Sequence, residues 1–300
     1  MKILLTLNKT YRNVSDTGHA YVYTPLQELG HEVYWYDTVD PEEKDYDKII
    51  EDFKPDLIFC CMTGNHFITP YEPWNSIKRE TVAGRIKTFN WFCDDTWRFD
   101  NFSKGVCEYF TACSTPEPDY IKKYKDIGYE NIILGCWHAN SKFYPRVDFD
   151  KKERDISFIG NLTPNRRRFF DSVDVPVENI FGVSIEELFI SHSNTKMGVN
   201  LSTNDNDPFG KTQMKGRMFE IPAGAGLLVT EHHDAIENFY ELDEEIITFK
   251  TVDEFNKKVE FLLKRPKLVQ KLAWNGYQRF LKDHDSKVRL KSILKEIEKI

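Results

Sequence analysis

The sequence predicts two α/β domains in tandem, each built on a parallel sheet. Three observations carry the prediction. Short apolar runs alternate with amphipathic stretches along the whole chain, the mark of strand–helix–strand units. The periodicity breaks between His138 and Lys152, around Pro145 and into the charged run Asp148–Asp155. Three hundred residues suffice for two cores of ordinary size.

Taken in order, strands are expected at Lys2–Leu7, Glu32–Tyr36, Asp56–Cys61, Lys87–Cys93, Tyr109–Cys113 and Ile132–Cys136. Helices fall between them, for example Pro41–Phe53 and Glu117–Ile127. Gly30 stops the first helical segment just before a strand starts at Glu32. Pro25 inside that segment implies a kink or a late helix start. The second set runs strand Asp155–Ile159, helix Arg166–Val173, strand Glu178–Phe181, helix Ile185–His192 and strand Met197–Leu201. A short helix near Glu220 follows, then strand Gly226–Thr230, helix Ala235–Tyr240 and strand Glu245–Phe249. Helices Val252–Lys264, Pro266–Asp283 and Ser286–Lys299 close the chain. The domains are expected to be 1–145 and 146–300, with the option that the last helix packs back on the first.

Composition limits the function classes. Hydrophobic content of 40% with 30% charge is that of a globular chain, and 22 Phe with 14 Tyr imply well-filled cores. No apolar run approaches the roughly 20 residues of a membrane span. The opening MKILLTLNKTYRN reads as a first strand rather than a signal peptide, so a cytoplasmic location is expected. Cys60, Cys61, Cys93, Cys107, Cys113 and Cys136 show no CxxC spacing and read as reduced structural thiols. The net charge of −7 lies in the first 150 residues, with 17 Lys and Arg against 24 Asp and Glu; the second half balances. Nucleic acid is therefore not expected as the main partner.

Residues 211–231, KTQMKGRMFEIPAGAGLLVTE, concentrate the chemistry. Lys215, Gly216 and Arg217 open a helix, where backbone N–H groups and cations favour an anion. Glu220 follows Arg217 by three residues, on the same helical face. Cations with backbone donors suit a diphosphate, and a carboxylate one turn on can accept both hydroxyls of a ribose. An ordinary i,i+3 ion pair on a solvated helix is the other reading. Gly160 and Asn161 end a strand where the backbone can approach a ligand. Arg166 lies in the basic opening of the next helix, which by itself reads as an exposed basic turn. His232 and His233 spell a metal tract on paper, although exposed loop histidines read the same way.

Four segments together resemble the CgeB-like (spore maturation protein-like) branch of glycosyltransferases with the GT-B fold. They are Trp91–Phe99 (WFCDDTWRF), Asp155–Asn161 (DISFIGN), Lys196–Leu201 (KMGVNL) and Gly216–Gly226 (GRMFEIPAGAG), in matching order. The resemblance spans nearly the whole chain. It implies two Rossmann-like domains facing across a cleft, the first on the acceptor side and the second binding the nucleotide-sugar. It further implies an enzyme that moves a sugar from a nucleoside-diphosphate sugar to an acceptor hydroxyl of a saccharide, protein or small molecule. No metal or cofactor is called for, because fixed cations stand at the leaving diphosphate.

In that reading Glu220 holds the donor ribose, and Arg166, Lys215 and Arg217 face the diphosphate. Asp94 and Asp95, mutually raised in pKa by like-charge repulsion, are the candidate bases, with His19 as second candidate. One of the two aspartates capping the next helix while Arg98 pairs with the other is the bland alternative. The sequence departs from the family at Thr212, where many members carry a first glutamate near the sugar; Asp205 and Asp207 offer carboxylates nearby. That departure motivates a second reading, a non-catalytic nucleotide-sugar-binding or scaffold protein.

Overall fold

The computed structural model describes residues 1–11, 14–43, 45–203 and 210–300. The chain divides into two compact units, residues 1–136 with 286–300 and residues 137–285. In the first unit, strands β1 (Lys2–Thr6), β2 (Glu32–Tyr36), β3 (Leu57–Cys60), β4 (Lys87–Trp91), β5 (Ala112–Thr115) and β6 (Ile132–Leu134) form one parallel sheet, ordered β2-β1-β3-β4-β5-β6. In the second, β7 (Arg154–Ile159), β8 (Glu178–Ile180), β9 (Thr195–Asn200), β10 (Leu227–Glu231) and β11 (Ile247–Phe249) form another, ordered β8-β7-β9-β10-β11. Both are parallel throughout, so inner strands such as β3 and β5 are buried along their whole length, while the edge strands β2 and β8 are partly exposed.

The main helices are α1 (Thr24–Glu28), α2 (Tyr46–Phe53), α3 (Trp74–Ala83), α4 (Asp95–Arg98), α5 (Pro118–Asp126), α6 (Pro164–Phe170), α7 (Ile185–Ser193), α8 (Arg217–Ala223), α9 (Val252–Leu263), α10 (Pro266–Arg279) and α11 (Ser286–Lys299). Pro25 sits at the second position of α1, directly after a π-helical turn at His19–Tyr23, so the helix changes pitch where the proline N–H is missing. The first core gathers Leu4, Ile58, Cys113, Phe110 and Tyr124. The second gathers Phe158, Val199, Val229, Phe249 and Phe255. Among the described residues no helix is long and apolar enough to cross a membrane.

Two local differences from expectation and one helix with no pattern of its own appear in the structure. A strand was expected from Tyr109, but Cys107–Tyr109 is a 3-10 turn and β5 begins at Ala112. Thr111 and Thr88 exchange hydroxyl for ladder partners there: each backbone N–H donates to the other's Oγ1, at 3.0 and 3.1 Å. Helix α3 has no apolar stripe to announce it, because its inward face pairs Ile77 with a carboxylate, Glu80. Arg85 satisfies that carboxylate through Nε and Nη2 at 2.9 and 2.6 Å. The helix expected at Ala235–Tyr240 is a short 3-10 segment, Asp234–Asn238.

The expected division at 145/146 lies nine residues past the one in the structure. Residues 137–145 pack within the second unit: Tyr144 meets the Phe189 ring at 5.0 Å, and Asp285 accepts from the Ser141 N–H and Oγ. Helix α11 belongs to the first unit, burying Leu290, Ile293, Leu294 and Ile297 at helical spacing. Its last turn is held by Lys87, whose Nζ donates to the carbonyls of Ile297 and Glu298, both at 3.1 Å. A cation on helix C-terminal carbonyls is a favourable cap.

Gly224, the residue after α8, lies against the end of α7. A Cβ there would stand 2.7 Å from the His192 carbonyl carbon and 2.8 Å from its oxygen, and backbone cannot rotate away. Gly224→Ala should therefore destabilise by about 1–3 kcal/mol. Gly105→Ala, at a helical glycine with open space around its Cβ, should be neutral or stabilise by up to about 1 kcal/mol. Urea unfolding of the two variants beside wild type checks the contrast.

Candidate functional site

In the second sheet the build order reverses between β7 and β9, and the carboxyl ends of strands at such a point are where open α/β sheets leave a crevice. Arg217 spans that point. Its Nε donates to Asn200 Oδ1 at 3.2 Å, at the end of β9, and its Nη1 to the Ile159 carbonyl at 3.4 Å, at the end of β7. The guanidinium also lies 4.9 Å from the Phe158 ring centroid. Gly160 makes room for it: the residue has φ +152°, and a Cβ would come 2.8 Å from Arg217 Nη1. Asn200 is itself buried and fixed, its Nδ2 donating to Thr230 Oγ1 at 3.0 Å.

Arg166, near the start of α6, joins the same corner. Its guanidinium stands 5.6 Å from the Phe158 centroid, and its Nη1 donates to the carbonyl of exposed Asn161 at 3.0 Å. Lys215 and Gly216, both half-buried, immediately precede α8. Glu220 lies one turn along α8, its carboxylate 3.7 Å from where a Gly216 Cβ would be. The structure thus brings Gly160, Asn161, Arg166 and Arg217 together at one strand end, with Lys215, Gly216 and Glu220 on the adjoining helix start. At seven residues α8 has little dipole of its own, so the side-chain cations dominate the local charge.

Sequence reasoning passed over three residues here. Lys152, placed in a linker, is buried and donates from Nζ to the carbonyls of Ser193 and Gly224 at 2.5 and 2.8 Å, tying the ends of α7 and α8 together. Burial drives its pKa down to about 7. His192, on α7, places Nε2 3.8 Å from Glu220 Oε2, and burial, with Arg217 and Lys152 adding to it, drives its pKa to about 3. The contact is therefore between a carboxylate and a neutral imidazole. Glu231, at the end of β10, accepts from the backbone N–H and the hydroxyl of Thr203, both at 2.7 Å. Only a lysine flanked by charges and a histidine at a helix end were visible in sequence, and neither signals burial.

Thr212 hydrogen-bonds His233 through Oγ1 and Nδ1 at 2.9 Å, and His232 Nε2 lies 3.3 Å from exposed Asp234. Among the described residues no three His, Cys, Asp or Glu side chains converge as metal ligands. Asp205 and Asp207 lie outside the described residues.

In the first unit, Asp94 is the N-cap residue of α4, partly exposed, and lines a cavity of about 50 Å³ with Thr63, Arg98 and Phe102. Arg98 donates to the Thr63 carbonyl and lies 4.1 Å from the Phe102 centroid. Cys61 and Cys93 border the same cavity, their sulfurs 3.7 Å apart. Asp95 is different: it is 1% exposed, and Tyr124 donates to its Oδ2 at 3.0 Å. Its pKa rises to about 6, chiefly through burial, while hydrogen bonds from Ser103, Thr115 and Tyr124 pull the other way. The charge that adds to the rise is Glu117, not the neighbouring Asp94 expected from adjacency. His19 is exposed and lies beside the Trp35 and Tyr23 rings at 6.3 and 5.8 Å.

The Asp95 shift has a definite sign. A carboxyl whose pKa is about 6 folded and near 3.8 unfolded holds its proton more tightly in the native state. That stability is fully present below pH 3.8 and is lost as pH rises through 6. Between pH 4 and 7 wild type should lose about 2 kcal/mol relative to Asp95→Asn. Parallel urea titrations at several pH values measure it; parallel curves for the two proteins would contradict the assignment.

Comparison with known proteins adds the following. Residues 148–295 match the family model described as Glycosyl transferase-like (Glyco_trans_1_2). No curated protein matches the sequence. Among solved structures, HepE of Anabaena in complex with UDP is similar over 100% of both chains, at 10% identity and a TM-score of 0.64. Sucrose-phosphate synthase from Thermosynechococcus elongatus is similar over 99% of both, at 11% identity and a TM-score of 0.66. An alpha-glucosyltransferase in complex with UDP is similar over 99% of this chain and 100% of its own, at 12% identity and a TM-score of 0.67. At these identities the structural likeness concerns the fold. The chain has the two-domain fold of these glycosyltransferase structures, and residues 148–295 resemble the glycosyl transferase-like family.

Proposed function

We propose that this protein is a glycosyltransferase that takes its sugar from a nucleoside-diphosphate donor held by the second unit, without a metal ion. One observation carries the reading: Arg217 is pinned across the ends of β7 and β9, with Glu220 one helical turn away. In this assignment Arg217, Arg166 and Lys215 receive the diphosphate, and Glu220 accepts the ribose hydroxyls. The bond from the sugar's anomeric carbon to the β-phosphate oxygen breaks with its electron pair going to that oxygen. The three cations stabilise the negative charge as it develops. An acceptor oxygen forms the new bond and gives up its proton to a base in an inverting enzyme.

Asp94 is the base we assign, on the first, acceptor-side unit. Asp95 is buried against Tyr124, and His19 lies against the Tyr23 and Trp35 rings, so we rank both below Asp94. UDP is the first nucleotide to test, since HepE was solved with UDP and with UDP-glucose and the alpha-glucosyltransferase with UDP. The four motif segments favour the CgeB-like branch within the fold. Six free cysteines favour a reducing, cytoplasmic setting.

The site predicts distinct variants. Calorimetric titration of the metal-free protein with UDP, GDP, dTDP, ADP and CMP should show selective binding to one nucleoside diphosphate. Glu220→Ala should weaken that binding by about 1–3 kcal/mol, the cost of removing one partner of a half-buried hydrogen-bonded group. Asp94→Asn should leave binding intact while sugar transfer falls by a factor of about 100 or more. A folded protein that binds none of these nucleotides would refute the donor site. Binding without transfer to any acceptor would favour the scaffold reading that Thr212 motivates.

A further inference from the structure

We propose that His192 is a positioning residue for Glu220: its Nε2–H donates to the carboxylate and holds it in the rotamer that accepts both hydroxyls of the donor ribose. The inference rests on the donor-site reading above and adds a residue outside every motif in the sequence.

His192 is 3% exposed, and its Nε2 is buried without a hydrogen-bond partner among the described residues. Buried ring nitrogens are ordinarily satisfied, because leaving one unpaired forfeits its hydration. The acceptor facing this one is Glu220 Oε2, 3.8 Å away, so a movement of under about 1 Å closes the bond to ordinary length.

The surroundings hold the imidazole still. Lys152 ties Ser193, the next residue, to Gly224 at the far end of the Glu220 helix. Gly224 lets that helix end approach the His192 carbonyl to a distance no Cβ would permit. The Tyr144 ring packs at 6.3 Å from the imidazole. With both helix ends locked, adjustment falls to the Glu220 side chain, whose charge and rotamer the ribose depends on.

Burial keeps His192 neutral, so it offers Glu220 a hydrogen bond without cancelling its charge. A carboxylate has about four lone-pair positions. A bond from His192 takes one of those on Oε2 and leaves that oxygen able to accept again. A protonated histidine would instead compete with the sugar for the whole charge.

The test is titration calorimetry with UDP, GDP and ADP and with their 2′,3′-dideoxy counterparts, on wild type, Glu220→Ala, His192→Leu and His192→Gln. His192→Leu should weaken the ribonucleotide that wild type binds by about five- to tenfold and leave its dideoxy form unchanged. His192→Gln, which keeps a donor at similar reach, should stay within about twofold of wild type. If His192→Leu does not fold, His192→Asn, whose amide stops short of Glu220, takes its place with the same expected loss. Ribonucleotide binding equal to wild type, or equal losses for both nucleotide forms, would overturn the proposal. If Glu220→Ala lowers ribonucleotide binding while His192→Leu does not, the His192 role alone falls. If wild type binds ribo and dideoxy forms alike, or neither, the donor reading falls and this inference with it.

Discussion

The second unit is organised around one side chain laid across two strand ends. A parallel sheet leaves the last carbonyls of its strands without ladder partners, and at the reversal point two neighbouring strands leave them side by side. Arg217 reaches that gap from the start of α8, bonding the Ile159 carbonyl and, through Asn200, the end of β9. A guanidinium suits the task because its planar fork serves several acceptors at once while its charge stays available to an anion. Everything nearby accommodates it. Gly160 lacks the Cβ that would collide with it, Phe158 offers a ring face, and Thr230 orients the amide it grips.

That arrangement shows which parts of the site were legible in the sequence. Arg217 and Glu220 were readable because their relation is local, three residues apart on one helix. The strands on either side were readable because parallel strands are apolar on both faces and stand out as runs. The partners of Arg217 were not readable: Ile159 lies 58 residues away and Asn200 lies 17, and only the strand order makes them neighbours. Lys152 is a sharper case. Its charge-rich flanks, Asp150, Lys151 and Glu153, describe a solvated linker, yet the side chain is inside, capping two helix ends.

The first unit shows how burial divides two identical side chains. Asp94 and Asp95 are adjacent and equivalent in composition, and adjacency alone predicts that they raise one another. The helix start decides otherwise by turning them to different surroundings. Asp94 stays partly exposed as the cap residue beside Arg98, while Asp95 points into a core of Tyr124, Ser103 and Thr115. Desolvation then dominates any through-space repulsion, as it does wherever a carboxyl loses water without gaining a cation. A residue with so strong a structural duty is poorly placed to exchange protons with a substrate.

The same balance explains how the corner around Arg217 gathers cations without destabilising itself. Arg217 and Arg166 both lie against the Phe158 ring, and Lys152 is buried at the ends of α7 and α8, so mutual repulsion would be expected. The protein reduces it by lowering the charge of the deeper groups: His192 is neutral at pH 7 and Lys152 is about half protonated. Burial brings Lys152 to about 7 and His192 to about 3, and in both cases desolvation outweighs every neighbouring charge. Charge is thereby concentrated in the outer layer, on Arg217, Arg166 and Lys215. The inner layer supplies hydrogen bonds and shape, with two amine protons on helix-end carbonyls and an imidazole against Glu220. An anion arriving at the corner would meet permanent cations held in place by uncharged acceptors, the Ile159 and Asn161 carbonyls and the Asn200 amide oxygen, which is how a fixed site stabilises developing charge without a rearrangement.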